Sequence, residues 1–166
     1  MKKVIIVLII WISFFSFLSG CINSDESNGG EEFVFTALDG SQIHLSDYRG
    51  KVVILDLWAT WCNPCRVEMP YIQEVFEDGK GVGLVLLAIN VGETSSKVKE
   101  FMEKNGLSFP VLLDTDTSVA QDYNVRGIPS TFFIDKDGII KDRKIGAFSS
   151  KADLDWRLIN SILAGE

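Results

Sequence analysis

The sequence predicts an α/β domain in which a mixed central sheet carries helices on both faces. Short apolar runs alternate with segments of helical periodicity in the order βαβαβα, and a ββα unit follows them. Two alternating segments separated by a turn precede this pattern and predict a β-hairpin at the start of the domain. The chain has 166 residues, which is enough for one such domain and a leader.

The predicted strands are short and bounded by turn residues. Residues 33–37 and 42–45 flank the Asp39-Gly40 turn and predict the hairpin. Residues 52–57 are almost continuously apolar, which is typical of a strand buried on both faces. Further strands are predicted at residues 83–91, 109–113, 131–134 and 139–145, the last two separated by a hairpin turn.

Four helices are predicted between and after these strands. The first carries four residues spaced to form one buried face, which are Cys65, Met69, Ile72 and Phe76. The second includes residues 98–102 and ends at Asn105. Asp116 is predicted to cap a brief third helix. Ser150 and Asp153 resemble a capping box at the start of the last helix, whose predicted buried residues are Leu154, Leu158 and Ile162.

The N-terminal segment predicts a leader for export. Lys2 and Lys3 precede an almost wholly apolar run at residues 4–18, and small residues follow it, as in a secretory signal peptide. The run is shorter than the roughly 20 apolar residues that a membrane-spanning helix usually needs. Residues 1–20 are therefore predicted to be a signal peptide, with an uncleaved membrane anchor as the alternative.

The junction after this run resembles a lipobox, the site at which bacterial lipoproteins are acylated on cysteine and cleaved just before it. Residues 18–21 read Leu-Ser-Gly-Cys, so the resemblance implies that Cys21 carries a lipid. Residues 22–32 are rich in Asn, Ser, Asp, Glu and Gly and are predicted to form a flexible tether. The folded domain is predicted at residues 33–166, on the extracytoplasmic face of the cell membrane.

Composition narrows the classes of function. Hydrophobic residues make up 46% of the chain and charged residues 23%, as in ordinary globular proteins. The net charge is −7 and no basic patch with interleaved aromatic residues is present, so nothing indicates a nucleic-acid partner. Of the three cysteines, the lipobox uses Cys21, which leaves Cys62 and Cys65 as a pair.

This pair predicts thiol-disulfide chemistry. Cys62 and Cys65 stand at a strand-to-helix junction, and residues three apart on a helix are neighbours that can form a disulfide. The partial positive charge at the helix N-terminus should lower the pKa of the Cys62 thiol, because it stabilises the thiolate. We therefore predict that Cys62 is the exposed nucleophile and that Cys65, on the buried face, resolves the mixed disulfide.

Two other uses of the cysteine pair stay open. A structural disulfide is one, although a bridge that closes so small a loop removes little entropy from the unfolded chain. Half of a zinc site is the other, but the chain has no second CxxC motif and His44 is its only histidine. We predict no metal site, and no cofactor beyond the redox-active disulfide itself.

Residues 53–65, VILDLWATWCNPC, resemble the active-site segment of the thioredoxin superfamily. Residues 127–131, Gly-Ile-Pro-Ser-Thr, resemble the cis-proline loop of that superfamily, and Pro70 matches the proline of its active-site helix. The hairpin and an additional helix-strand segment between residues 92 and 113 are similar to the TlpA/ResA branch. The resemblance covers residues 33–163 and implies a thioredoxin-like fold with a helix-strand insertion.

The resemblance implies acid-base roles for two carboxylates. Asp56 is the only charge in its apolar run and aligns with the buried aspartate that assists proton transfer to the buried cysteine. Glu68 lies one helical turn after Cys65 and aligns with a glutamate of the active-site cavity. The alternatives are an Asp56 that reaches water at the strand end and a Glu68 on a solvent-exposed helix face.

The resemblance also implies a substrate-binding surface around Cys62. Pro129 is expected to be cis, which leaves the backbone of Ile128 free to pair with an extended substrate segment. Trp61 is expected to shield the nucleophile, and Trp58 to pack beneath the site. The residues expected to contact substrate are Trp61, Asn63, Pro64, Ile128 and Pro129.

Members of the TlpA/ResA branch are membrane-tethered, extracytoplasmic thiol-disulfide reductases, and several serve cytochrome c maturation. The resemblance therefore implies a protein disulfide substrate, with apocytochrome c as the leading candidate, and a CcdA-like or DsbD-like membrane electron donor. A thiol-disulfide oxidase remains an alternative, since Asn63 and Pro64 do not determine the reduction potential. A thiol peroxidase would usually have Thr in place of Ala59, and a Sco-like copper chaperone would need a wider cysteine spacing than Cys62 and Cys65 provide.

Overall fold

The computed structural model of the chain describes residues 34–163. The signal peptide predicted at residues 1–20, the predicted lipidation of Cys21 and the tether predicted at residues 22–32 all lie outside the described residues. Within the described range the strands are β1 (Val34–Ala37), β2 (Gln42–His44), β3 (Val52–Trp58), β4 (Leu84–Val91), β5 (Val111–Asp114), β6 (Ser130–Ile134) and β7 (Ile140–Ile145). The helices are α1 (Asn63–Gly79), α2 (Ser95–Asn105), α3 (Ser118–Asp122) and α4 (Lys151–Leu163), and a 3₁₀ turn spans Leu45–Tyr48.

The strands of the described range form one seven-stranded sheet in the order β2-β1-β5-β4-β3-β6-β7. The central pairs β3–β4 and β4–β5 are parallel, whereas every other neighbouring pair is antiparallel. The prediction of a mixed sheet with an N-terminal hairpin is therefore confirmed. The apolar runs of β3 and β4 lie at the centre of the sheet, where both faces are covered.

Helices cover both faces of the sheet, as predicted, but unequally. On one face, α1, α2 and α4 pack over a core that includes Ile54, Trp58 and Phe133. On the other face, the short α3 and the 3₁₀ turn pack over Leu55 and Leu57, along with neighbouring strand residues. Alternate residues of β3 point to opposite faces, so the even-numbered ones face α1. This alternation places Asp56 on the same side of the sheet as the active-site helix.

The helix termini differ in detail from the predictions. Asp116 does accept a hydrogen bond from the N–H of Ser118, the first residue of α3, at 3.2 Å. The following two N–H groups of α3 donate instead to the buried carboxylate of Asp114, at 3.1 and 2.9 Å. At α4, Ser150 Oγ accepts the N–H of Asp153 as a capping box requires, but the Asp153 carboxylate accepts the N–H of Ser149.

Along α1, the predicted buried face is correct for Cys65, Met69 and Ile72. Phe76 is an exception: it is half-buried, and the Lys80 ammonium lies 4.5 Å from its ring centre. Val75 takes the inner position in that turn. At the end of α2, Gly106 has φ = 64°, the left-handed conformation that terminates a helix. None of the helices in residues 34–163 is long and apolar enough to cross a membrane.

Candidate active site

The cysteine pair lies where the central strand β3 passes into α1. Cys62 is the N-cap residue of α1, and the helix begins at Asn63 with Pro64 in its first turn, where a missing N–H costs nothing. The two sulfurs are joined in a disulfide with an S–S distance of 2.04 Å. The N–H of Cys65 points at Cys62 Sγ from 3.2 Å. This N–H can stabilise a Cys62 thiolate once the disulfide is reduced.

The prediction that Cys62 is exposed is wrong for the oxidised pair. Cys62 is only 4% exposed, and Cys65 is completely buried. The sulfur of Cys62 is drawn against Cys65 by the disulfide, and the Ile128 carbonyl oxygen covers it from 3.7 Å. The disulfide sulfur of Cys62 carries no proton, so this contact with the Ile128 carbonyl oxygen is not a hydrogen bond in the oxidised protein. It becomes one only when Cys62 is a thiol. Only the small exposed part of Cys62 is accessible to a partner in the oxidised pair.

The loop that covers Cys62 is the one that resembled the cis-proline loop. The Ile128–Pro129 peptide bond is cis, as the resemblance implied. The Pro129 carbonyl accepts a hydrogen bond from the N–H of Gly146 at 2.9 Å, which ties the loop to the end of β7. The loop thereby brings residues far along the chain to the start of α1.

Asp56 is fully buried in the middle of β3. Its Oδ1 accepts the hydroxyl of Thr131 at 2.9 Å, and its Oδ2 has no hydrogen-bond partner among the described residues. Burial raises the pKa of Asp56 to about 7, against a smaller lowering by the Thr131 hydroxyl. The alternative of a strand-end aspartate in water is excluded. Asp56 shares the α1 side of the sheet with Cys65, as a proton acceptor for that cysteine must.

Glu68 is also buried, one turn beyond Cys65 on α1. Its Oε2 accepts the N–H of Phe148 at 2.8 Å, while its Oε1 has no partner within residues 34–163. Burial and the nearby charge of Asp56 raise the pKa of Glu68 to about 8, although the Phe148 N–H and Lys144 oppose them. The solvent-exposed alternative is thus wrong for Glu68. Two electrostatically linked carboxyl groups lie behind the disulfide.

A third buried carboxylate was missed in the sequence. Glu93, two residues beyond β4, is 6% exposed and holds the loop before Cys62 through Thr60. Burial by itself would raise its pKa, but hydrogen bonds from Lys97, Thr60 and Asn90 lower the pKa of Glu93 to about 2. One signal was available. The carboxyl ends of parallel strands β3 and β4 meet at one edge of the sheet, so a polar residue just after β4 belongs near Cys62.

The surface around the pair combines apolar and basic groups. Trp61 is 62% exposed, so it is not packed into the core, while Trp58 is buried beneath the site as predicted. Asn63 and Pro64 are also exposed. Two open cavities of about 460 and 320 Å³ adjoin between α1 and α2, and both are lined by Arg66, Phe101 and Asn105. The larger cavity extends to Asn63 and the smaller one to Thr60, close in sequence to Cys62 on either side.

Comparisons with known proteins agree with this geometry. Residues 30–143 match the AhpC/TSA family. Thiol-disulfide oxidoreductase ResA of Geobacillus kaustophilus is 45% identical over 127 residues, which cover 76% of this chain and 72% of that protein.

Two solved structures share the fold. A thiol:disulfide interchange protein of the thioredoxin family from Chlorobium tepidum superposes with a TM-score of 0.70 at 30% identity, covering 78% of this chain and 92% of the other. The exposed lipoprotein thioredoxin of Streptococcus pneumoniae has a TM-score of 0.66 at 32% identity, with 78% and 98% covered. This chain belongs to the AhpC/TSA family and, within it, to the ResA thiol-disulfide oxidoreductases.

Proposed function

We propose that this enzyme is a lipid-anchored reductant of protein disulfides outside the cytoplasm, with apocytochrome c as the leading candidate substrate. One observation carries the proposal. A nearly covered Cys62 sulfur lies at the N-terminus of α1, and two buried carboxyl groups of raised pKa lie behind it. A structural disulfide has no need of buried proton carriers, whereas thiol-disulfide exchange has to move a proton for each thiolate that forms.

The reaction starts with the Cys62 thiolate of the reduced enzyme. It attacks one sulfur of the substrate disulfide, forms a mixed disulfide and displaces the other substrate sulfur as a thiolate, which takes a proton. The Cys65 thiol then loses its proton, and its sulfur attacks Cys62 Sγ. The second substrate sulfur leaves, and the Cys62–Cys65 disulfide closes. The substrate gains two electrons, and the enzyme ends in the oxidised form described above.

Asp56 is the proposed acceptor of the Cys65 proton. Its pKa of about 7 leaves a large ionised fraction near neutral pH and makes it a far stronger base than an exposed aspartate. Glu68, with a pKa of about 8, is mostly protonated under the same conditions. A protonated Glu68 keeps a second negative charge away from Asp56 and from the developing thiolate.

The proposed location rests on the leader. A basic start, an apolar run of signal-peptide length and the Leu-Ser-Gly-Cys junction favour export, cleavage before Cys21 and acylation of that cysteine. A solved relative at 32% identity is itself an exposed lipoprotein thioredoxin. Each turnover leaves the cysteine pair oxidised, and the oxidising exterior of the cell supplies no thiols to reduce it again. We therefore expect a CcdA-like or DsbD-like membrane protein to return electrons to the Cys62–Cys65 disulfide.

Trapping tests the assignment of attacking and resolving cysteines. Reduced enzyme with Cys65→Ser should accumulate a mixed disulfide between Cys62 and an oxidised peptide that carries the CxxCH segment of apocytochrome c. Cys62→Ser, the matched control, should form no adduct and should lose reductase activity. Full turnover by Cys65→Ser would contradict the resolving role of Cys65. If the natural reduced enzyme reacted with hydrogen peroxide and not with the peptide disulfide, a thiol peroxidase would be favoured.

The location has a separate test. Mass spectrometry of the mature protein should find an N-terminal peptide that begins at a diacylated or triacylated Cys21. An unmodified peptide that spans Gly20 and Cys21 would exclude the lipoprotein and favour the uncleaved anchor.

A further inference from the structure

The bonding of Glu93 sets it apart from the carboxyl groups behind the disulfide. Both of its oxygens are occupied by close donors. Oε1 accepts the Thr60 hydroxyl at 2.7 Å and lies 2.6 Å from the Lys97 ammonium. Oε2 accepts the Thr60 N–H at 2.6 Å and the Asn90 side-chain amide at 2.9 Å. Glu93 therefore joins the end of β4, the start of α2 and the active-site loop through a single buried charge.

The contacts with Thr60 matter because of where Thr60 lies. It is the second residue of the loop between β3 and α1, and Trp61 and Cys62 follow it directly. The Glu93 carboxylate holds both the backbone N–H and the side chain of Thr60, which fixes the orientation of that peptide group. The Cys62 N–H in turn bonds to the Ala59 carbonyl at 3.2 Å, so the loop has little freedom on either side of Thr60.

We propose that Glu93 is a positioning residue for thiol-disulfide exchange, which holds the loop of residues 59–62 so that Trp61 is presented to substrate and Cys62 is aligned for attack. Glu93 acts through Thr60 and does not touch the reacting sulfurs. The inference rests on the exchange chemistry and is independent of the direction of electron flow. Trp61 supports it, because an aromatic ring with 62% of its surface in water is not held in place by core packing.

The protein contains a matched control for a purely structural role. Asp114 is another buried carboxylate at the carboxyl end of a parallel strand, and it accepts two backbone N–H bonds from the helix that follows it. Its partners, Val119 and Ala120, belong to α3 on the opposite face of the sheet from α1. Asp114→Asn should therefore reduce stability as Glu93→Gln does, without affecting Cys62.

The experiment measures kcat/KM, the second-order rate constant, for reduction of a protein disulfide and of a small symmetric disulfide by the reduced enzyme. Glu93→Gln should lower kcat/KM about tenfold for the protein disulfide, because a misplaced reacting group costs one to two orders of magnitude. The loss should be smaller for the small disulfide, whose binding depends less on the position of Trp61 than that of a protein does. Asp114→Asn should keep both rate constants within about twofold of the natural enzyme at a comparable loss of Tm.

Two milder variants keep the test decisive if Glu93→Gln folds poorly. Thr60→Val deletes only the hydroxyl and should give part of the kinetic loss, whereas Thr60→Ser should restore the natural rate. The Glu93→Gln/Thr60→Val double variant should lose less than the product of the two single losses, because both changes break one connection. Natural kinetics in Thr60→Val and Glu93→Gln, or an equal kinetic loss in Asp114→Asn, would overturn the proposal.

Discussion

Two kinds of buried carboxyl group flank the same disulfide, and their pKa values are shifted in opposite directions. Asp56 and Glu68 lie behind Cys65 in the core, where their pKa values are raised to about 7 and about 8. Glu93 lies beside the loop that leads to Cys62, and its pKa is lowered to about 2. All three are shielded from water. Burial alone therefore does not determine whether a carboxylate of this protein is charged.

The number of donors accounts for the difference. Asp56 accepts one hydroxyl and Glu68 one N–H, and each has a second oxygen without a partner in residues 34–163. Glu93 accepts four donors, including an ammonium group. A buried carboxyl group with only one hydrogen-bond donor gains and loses protons near neutral pH. One whose two oxygens both accept hydrogen bonds stays ionised. The first kind suits proton transfer and the second suits holding a loop.

The largest expected effect follows from removing the proton acceptor. Asp56→Asn should slow reduction of a protein disulfide about 100-fold at pH 7, a typical contribution of general acid-base catalysis. The deficit should shrink towards pH 9, because hydroxide can then deprotonate Cys65 directly. A pH-rate profile of the variant identical in shape to that of the natural enzyme would remove Asp56 from the reaction.

Stability should respond to pH in opposite directions in the two regions. The pKa of Asp56 rises from 3.8 to about 7, so the natural protein loses stability as pH increases between these values. Asp56→Asn lacks this contribution and keeps only the similar one from Glu68. The pKa of Glu93 falls from 4.5 to about 2, so its contribution is complete above pH 4.5 and disappears towards pH 2.

Urea unfolding of the oxidised proteins measures both effects. Relative to the natural protein, Asp56→Asn should gain about 4 kcal/mol between pH 4 and pH 8, because each unit of pKa shift corresponds to about 1.4 kcal/mol. Glu93→Gln should cost about 2 kcal/mol at pH 6 and almost nothing near pH 2. Parallel pH dependence in the two variants would show that the carboxylates do not differ in charge state.

Glu68→Gln should have a smaller effect, about tenfold on the rate at pH 7. Glu68 is still mostly protonated when Asp56 ionises, so the neutral Gln leaves the pKa of Asp56 near 7 but cannot donate or accept a proton during the exchange. The midpoint of the pH-rate profile should accordingly stay near pH 7 while the rate falls. Stopped-flow measurements of Cys62–Cys65 disulfide formation across pH 5 to 9 would test this, and a midpoint that moves by about one unit or more would contradict the assigned order of ionisation.

The smallest expected effect concerns the single donor to Asp56. Thr131→Val removes a hydroxyl that lowers the pKa of Asp56 and preserves the shape of the side chain. The midpoint of the pH-rate profile should move upward by roughly half a unit, with about a threefold change in rate at pH 7. Thr131→Ser should behave like the natural enzyme. If Thr131→Val leaves the midpoint unchanged, the number of hydrogen-bond donors does not set the pKa of Asp56.

The two regions also differ in how far the sequence predicted them. Asp56 was identifiable because a single charge interrupts an apolar strand, and Cys62 and Cys65 because of their spacing at a strand-to-helix junction. The burial of Glu68 was undecided, since the group that covers it, Phe148 N–H, lies 80 residues away. Glu93 was missed because its Thr60 partner is 33 residues distant and no local pattern connects them.

The predicted cap of α3 was only partly correct, and the predicted exposure of Cys62 was wrong, for related reasons. A cap at Asp116 is the expectation from local spacing, but Asp114 binds two of the N–H groups because the end of β5 aims its side chain at α3. The near-complete covering of Cys62 depends on the Ile128 carbonyl, which a distant loop supplies. Local patterns thus predicted elements and chemistry, while long-range packing determined accessibility and charge.

The reduction potential of the Cys62–Cys65 pair tests the proposed function most directly. It can be measured by equilibrating the natural domain with a thiol-disulfide buffer and quantifying the reduced fraction by alkylation and mass spectrometry. A reductant of protein disulfides should have a potential close to the value of about −270 mV known for thioredoxin. A potential near −120 mV, the value for the oxidant DsbA, would contradict the reductase and assign the enzyme to disulfide formation.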